Sequence, residues 1–164
     1  MNFEFATAAR VRFGLGVRHE AAAAVAALGQ RVLLVTGQRA EPAEALADEL
    51  RAAGLEITRF IISGEPNIAA VADGVDVARE TGAQVVAALG GGSALDAGKA
   101  IAALLTNPGE ALDYLETIGR GHALENDPAP FVALPTTAGT GSEVTRNAVL
   151  AAPEQRVKVS LRSP

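Results

Sequence analysis

Five short apolar runs recur along the chain: ARVRFG (9–14), RVLLVTG (31–37), LEITRFII (55–62), AQVVAALG (83–90) and PFVALPT (130–136). Each is rich in β-branched residues and is closed by glycine, proline or a polar residue, the pattern of a strand. Between them lie VRHEAAAAVAALG, EPAEALADELRAAG, NIAAVADGVDVARETG and ALDAGKAIAALL, in which apolar residues recur at helical spacing, as at Leu46, Leu50 and Ala53. The first three end at Gly29, Gly54 and Gly82, each suited to close a helix. Strand and helix in alternation predict an α/β fold: a Rossmann-like parallel sheet with helices on both faces. LLV and VVAAL are apolar without a break, so they are expected to be central strands buried on both sides.

From Thr106 the alternation loosens. TNPGEALDYLETIGRGHALENDPAP holds three prolines and scattered Gly and Asn, so it reads as loop around one short helix near ALDYLET. The last segment, NAVLAAPEQRVKVSLRSP, reads as two strands joined at Ala-Pro-Glu-Gln, a C-terminal β-hairpin.

Composition narrows the class. A chain of 164 residues, 49% hydrophobic and 20% charged, suits one globular domain with a real core. The formal net charge of −5 excludes the broad basic footprint of non-specific nucleic-acid binding. There is no cysteine, hence no disulfide or thiolate chemistry, in keeping with a reducing compartment. The first residues lack a charged n-region and an apolar h-region, and no apolar stretch approaches membrane length. The expectation is a cytoplasmic protein without nucleic-acid or membrane partners.

Two stretches carry candidate chemistry. In ALGGGSALDAGKA (88–100), Gly90, Gly91, Gly92 and Ser93 stand between a strand and a helix. Ligands of open parallel sheets bind there, and glycines let a phosphate approach the unpaired N–H groups of a helix N-terminus. A Walker A loop around Gly98-Lys99 would need Gly at 93 and Ser or Thr at 100, where Ser93 and Ala100 stand. A GxGxxG fingerprint starting at Gly14 fails at His19. The second stretch, ALPTTAGTGSEVT (133–145), gathers Thr136, Thr137, Gly139, Thr140, Gly141 and Ser142 after another strand. Such a loop offers hydroxyl and backbone donors to a polar or anionic ligand.

Plainer readings stand beside these. GGGS alone makes a tight turn with Ser93 as helix N-cap, and Ser142-Glu143 opens a short helix. Asp96 and Lys99, three apart, read as a solvent-facing ion pair of little energetic weight. His19 and His122 read as solvated side chains, too far apart in sequence for metal-ligand spacing.

GGGSALDAGKA together with PTTAGTGSEVTRNAV resembles the N-terminal nucleotide-binding domain of iron-containing (group III) alcohol dehydrogenases, relatives of glycerol dehydrogenase and dehydroquinate synthase. The resemblance extends from FEFATAARVRFGLG through VLLVTG and ISGEPN to KVSL, essentially the whole chain. It implies a Rossmann-like domain over residues 1–164 that binds NAD or NADP. By the same resemblance Gly91, Gly92 and Ser93 receive the pyrophosphate, with Asp96 near the cofactor's sugar or nicotinamide side. Thr136, Thr137, Thr140 and Ser142 line the cleft, Lys158 stands near the nicotinamide ribose, and Lys99 is structural or peripheral.

VLLVT is followed by Gly37 and Gln38, where NAD-preferring relatives often carry an acid, so Gly37 leaves room for a 2′-phosphate and the balance leans to NADP or dual use. The family's Fe²⁺ or Zn²⁺ ligands, an aspartate and three histidines, belong to a helical C-terminal domain absent from this chain. No catalytic or metal-binding residue is therefore assigned within 1–164. The parent would act on a small alcohol or carbonyl substrate, which the metal polarises. The chain alone is expected to bind cofactor without turnover and to form a homo-oligomer through surface left by the absent domain. The alternatives are a stand-alone nucleotide-binding module or subunit without catalysis and, ranked last, a phosphosugar-binding or kinase-like domain.

Overall fold

The computed structural model describes residues 2–3 and 7–163. Strands β1 (Arg31–Thr36), β2 (Glu56–Ile61), β3 (Val85–Gly90) and β4 (Phe131–Pro135) form a parallel sheet in the order β2-β1-β3-β4. Thr36 stands opposite Ile61 and Leu89, and Gly90 opposite Pro135, so the carboxyl ends share one rim. The chain steps from β1 outward to β2 and then back past β1 to β3. That reversal leaves a crevice between the ends of β1 and β3, the switch point where such sheets take ligands.

Helices cover both faces, and the alternation of side chains along β1 and β3 shows why. Val32, Leu34, Val85 and Ala87 pack against Val25 of α1 (Ala21–Ala26) and Leu46 and Leu50 of α2 (Ala40–Ala52). Leu33, Val35, Val86 and Ala88 pack on the other face with Val71 and Val75 of α3 (Ile68–Glu80) and Leu95 and Ile101 of α4 (Gly92–Thr106). The unbroken apolar runs 32–35 and 85–89 within these two strands are thus used by two separate cores. The uninterrupted apolar runs are the central strands, as their composition predicts.

The terminal hairpin, β5 (Asn147–Ala152) and β6 (Val157–Arg162), is antiparallel and adds Leu150, Val159 and Leu161 to the α3–α4 core. It lies over α4, which therefore has neighbours on opposite sides. The buried positions of α4 include Ala94, Leu95, Ala97, Gly98, Ala100 and Ile101, far more than one stripe of a surface helix.

Three expectations need correction. ARVRFG is not a strand: residues 7–14 join no sheet among the described residues, and Val11, Phe13 and Leu15 are exposed. A β-branched run becomes a strand only where a partner supplies the other half of the ladder. VRHEAAAAVAALG is a 3-10 turn (Val17–Glu20) followed by α1, which ends at Ala26, before Gly29. Gly54 and Gly82 do take the left-handed conformation, at φ 83° and 60°, whereas a Cβ at Gly29 would stand 2.8 Å from Gln84 Cβ. Gly29 is therefore required by close packing. The short helix expected near ALDYLET is present as one turn, α5 (Ala111–Tyr114).

The surrounding loop is ordered by Asn107, which is buried. Its Nδ2 donates to Ala103 O at 2.7 Å and Asn126 O at 3.0 Å, while its Oδ1 accepts from the N–H groups of Glu125 and Asn126, each at 2.8 Å.

At Gly98 the backbone of α4 comes so near the sheet that a Cβ would lie 2.7 Å from the ring of Phe131 and 2.9 Å from Ala88 Cβ. Gly98→Val is expected to destabilise the domain by about 1–3 kcal/mol through overpacking, read as a lower midpoint in urea unfolding.

Candidate functional site

The first residue of α4 is Gly92 and its N-cap is Gly91, so Ser93 lies within the first turn and does not cap the helix. No side chain caps α4 among the described residues, and its first intrahelical bond runs from Leu95 N–H to Gly91 O at 3.1 Å. The N–H groups ahead of Leu95 are thus left without intrahelical acceptors at the positive end of a 15-residue helix. This end opens at the rim of β3, beside the switch point. A Cβ at Gly90 would lie 3.7 Å from the amide nitrogen of Gly37, so the loops leaving β1 and β3 adjoin.

The second glycine-rich loop folds onto the first. Thr136 N–H donates to Gly90 O at 2.8 Å, extending the β3–β4 ladder by one rung. A Cβ at Gly91 would stand 3.1 Å from Thr137 Oγ1, and one at Gly92 would stand 3.5 Å from the Thr140 methyl. Both glycines therefore keep a narrow space open between the uncapped helix end and the threonine loop. Residues 141–145 form no helix, only a turn closed by Val144 N–H to Gly141 O at 3.1 Å.

Beneath that turn sits a polar cluster. Ser142 Oγ donates to Asp96 Oδ1 at 2.5 Å, and the same oxygen accepts from Lys99 Nζ at 3.1 Å. Lys99 Nζ also donates to Ser142 O at 2.7 Å, to Thr145 O at 3.3 Å and, at very short range, to Asn147 O. The side chains of Asp96 and Lys99 are only 14% and 13% exposed, which corrects the reading of a solvent-facing pair. Burial pushes the Lys99 pKa below the usual lysine value, against the opposing pull of Asp96 and of Glu143.

The remaining candidates are distributed differently. Gly37 has open space where a side chain would be, and Gln38 Nε2 donates to Ser63 Oγ at 2.7 Å, tying this loop to the one after β2. Lys158, on β6, is exposed and paired with Glu65 at 2.5 Å. His19 and His122 are exposed. One feature escaped the sequence: the Thr36 hydroxyl, at the end of β1, is buried and has no hydrogen-bond partner among the described residues. Its position next to Gly37 is visible in the sequence, but its isolation depends on neighbours from other segments.

An uncapped helix end, two Cβ-free positions and nearby hydroxyls fit a phosphate-bearing ligand. They do not fit a metal: among the described residues no three His, Cys, Asp or Glu side chains come together to hold one. No helix of the described residues is long and apolar enough to cross a membrane.

A family model for iron-containing alcohol dehydrogenase matches residues 8–164. The chain belongs to the iron-containing alcohol dehydrogenase family. Among its relatives in that family are choline dehydrogenase of Bacillus subtilis, 35% identical over 159 residues, and 1,3-propanediol dehydrogenase of Klebsiella pneumoniae, 39% identical over 138 residues. These alignments take in 94% and 79% of this chain but 39% and 34% of the relatives. A crystal structure of 1,3-propanediol oxidoreductase superposes with a TM-score of 0.90 at 32% identity, covering 99% of this chain and 43% of its own. Sulfoacetaldehyde reductase from Bifidobacterium kashiwanohense, solved in complex with NAD+, superposes at 0.84 with 31% identity over the same shares. The chain thus spans about two-fifths of the length of those structures.

Asp96→Ala is expected to lower stability by about 1–3 kcal/mol, because it removes the carboxylate paired with the half-buried Lys99 ammonium. The urea midpoint should fall with an unchanged slope, whereas an unchanged midpoint would mean that the pair contributes nothing.

Proposed function

We propose that residues 1–164 form the NAD(P)-binding domain of an iron-type alcohol dehydrogenase that interconverts alcohols with aldehydes or ketones by hydride transfer. The observation that carries this reading is the meeting of the uncapped start of α4 with the threonine-rich loop at the sheet's switch point. There the N–H groups of Gly92 and Ser93 would donate to the pyrophosphate, drawn also by the helix dipole. Thr136, Thr137, Thr140 and Ser142 would wall the cleft, Asp96 would stand on the sugar or nicotinamide side, and Lys158 would reach the nicotinamide ribose. The bound dinucleotide supplies or accepts the hydride; these residues bind and orient it.

The open space at Gly37 supports NADP or dual use, because a 2′-phosphate would meet no side chain there and Arg39, exposed at the start of α2, stands two residues on. The Fe²⁺ or Zn²⁺ that polarises the substrate oxygen in the intact enzyme would be held by residues outside this chain. The chain alone is therefore a cofactor-binding unit without turnover.

Titration of the purified chain with NADPH, and separately with NADH, should give saturable binding by fluorescence or calorimetry, tighter for NADPH. Gly92→Val, which fills the cradle while retaining helical geometry, should abolish it; absence of binding to either cofactor by the parent chain would overturn the reading. Aldehyde reduction by the isolated chain at a rate typical of intact enzymes would contradict the division of labour.

The exposed Val11, Phe13 and Leu15 support the further expectation of a homo-oligomer. Sedimentation at high protein concentration should reveal species larger than a monomer.

A further inference from the structure

We infer that Lys99 is a positioning residue for cofactor binding: from α4 it draws the Ser142–Asn147 segment inward and thereby holds Thr140 over Gly92. The inference rests on the cofactor-binding reading of this cleft. An ammonium has three protons and no acceptor, so it is suited to gathering several carbonyls that cannot bond one another. Those it gathers, Ser142 O, Thr145 O and Asn147 O, span six residues that form no helix and lead directly into β5. The carboxylate of Asp96 supplies the countercharge and takes the Ser142 hydroxyl as well, so one cation and one anion hold both the backbone and the side chain of Ser142.

The rest of this segment is held at its backbone by Thr7 Oγ1, which donates to Val144 O at 3.0 Å, and by Ser163, whose N–H donates to Arg146 O at 3.1 Å and whose carbonyl accepts from Arg146 Nε at 3.3 Å; none of these contacts touches Ser142. Among the described residues the hydrogen bonds of Thr140 Oγ1 are long, 3.4 Å with Ser142 N and 3.5 Å with Glu143 Oε2. Val144, Thr145 and Arg146 are exposed, so little apolar burial anchors the segment. Ser142, by contrast, is buried, and it is the residue Lys99 and Asp96 hold. Thr140 precedes it by two residues, and its methyl lies within van der Waals reach of the Gly92 Cβ position. Loss of the ammonium would free the carbonyls to turn toward water and let Thr140 move off the cradle.

The charged groups facing the ammonium are Asp96 on α4 and Glu143 on the loop. Burial lowers the Lys99 pKa, so the ammonium gives up its charge more readily as pH rises. Deprotonation leaves an amine with two protons and no charge, a weaker hold on the same carbonyls. Since burial lowers the Lys99 pKa, native stability gains from that proton's loss, as the folded chain releases it more readily than the unfolded one. Cofactor affinity and Lys99's contribution to fold stability should then move in opposite directions with pH, which a merely structural lysine would not produce.

The test uses NADPH on the 164-residue chain. Lys99→Met should raise its Kd about tenfold or more, the scale of one or two lost charge-assisted hydrogen bonds. Lys99→Arg should recover most of the affinity. The parent's affinity should weaken as pH rises through the depressed lysine pKa, while that of Lys99→Arg, whose guanidinium stays charged, should hold. Combining Lys99→Met with Thr140→Ala should cost less than the sum of the two, because the threonine is already displaced.

An unchanged Kd in folded Lys99→Met, strict additivity with Thr140→Ala, or identical pH profiles for the parent and Lys99→Arg would each overturn the role while leaving cofactor binding intact. Failure of the parent itself to bind NADPH would bring down the cleft assignment and this inference together. If Lys99→Met does not fold, the pH profiles of the parent and Lys99→Arg decide.

Discussion

Helix α4 can start at the carboxyl rim of the sheet only because its middle lies almost on the sheet. At Gly98 the backbone approaches Phe131 of β4 and Ala88 of β3 with no room for a methyl group between them. Alanines at 94, 97, 100, 102 and 103 keep the rest of the helix slim enough to fit between the sheet and the β5–β6 hairpin. Close packing of this kind fixes both the height and the tilt of a helix, since a shift of a fraction of an ångström forfeits contacts along its length. The aim of its first-turn N–H groups, which no side chain caps among the described residues, follows from that placement.

The hairpin joins core and site through the same helix. Leu150, Val159 and Leu161 pack into the α3–α4 core, and Ala151 N–H donates to Pro66 O at 2.8 Å, tying the hairpin to the loop after β2. The loop leading into β5 is therefore anchored at one end by apolar burial and at the other by the β4 ladder through Thr136. Between those anchors it makes polar contacts with Lys99, with Asp96 and, through Val144 O, with Thr7 Oγ1. Rigid elements thus carry the helix end and the rim of the sheet, while polar contacts hold the threonine loop between them.

Much of the fold was legible in the sequence because strand and helix leave different periods, and because central parallel strands carry apolar residues at every position. RVLLVTG and AQVVAALG are unambiguous on that ground, and both observed strands are buried on each face. ARVRFG has the same local signature and is no strand, since pairing depends on a neighbour that local residues do not specify. The two glycine loops were recognisable as candidates by composition. Their meeting was not, because Gly91 and Thr137 lie 46 positions apart (137 − 91) and are joined only by the pairing of β3 with β4.

The sequence by itself determined the alternation of elements, the identity of the central strands and the position of glycines at strand ends, all properties that arise within a few consecutive residues. Tertiary structure alone decided that Lys99 gathers three carbonyls, 43 to 48 positions distant, instead of pointing to solvent. It decided as well that Ser93 is not the helix cap and that Lys158 meets Glu65. A motif read along the chain specifies which groups are available. Which of them are desolvated, and against what, is set by segments that come together only when the sheet and its helices have packed.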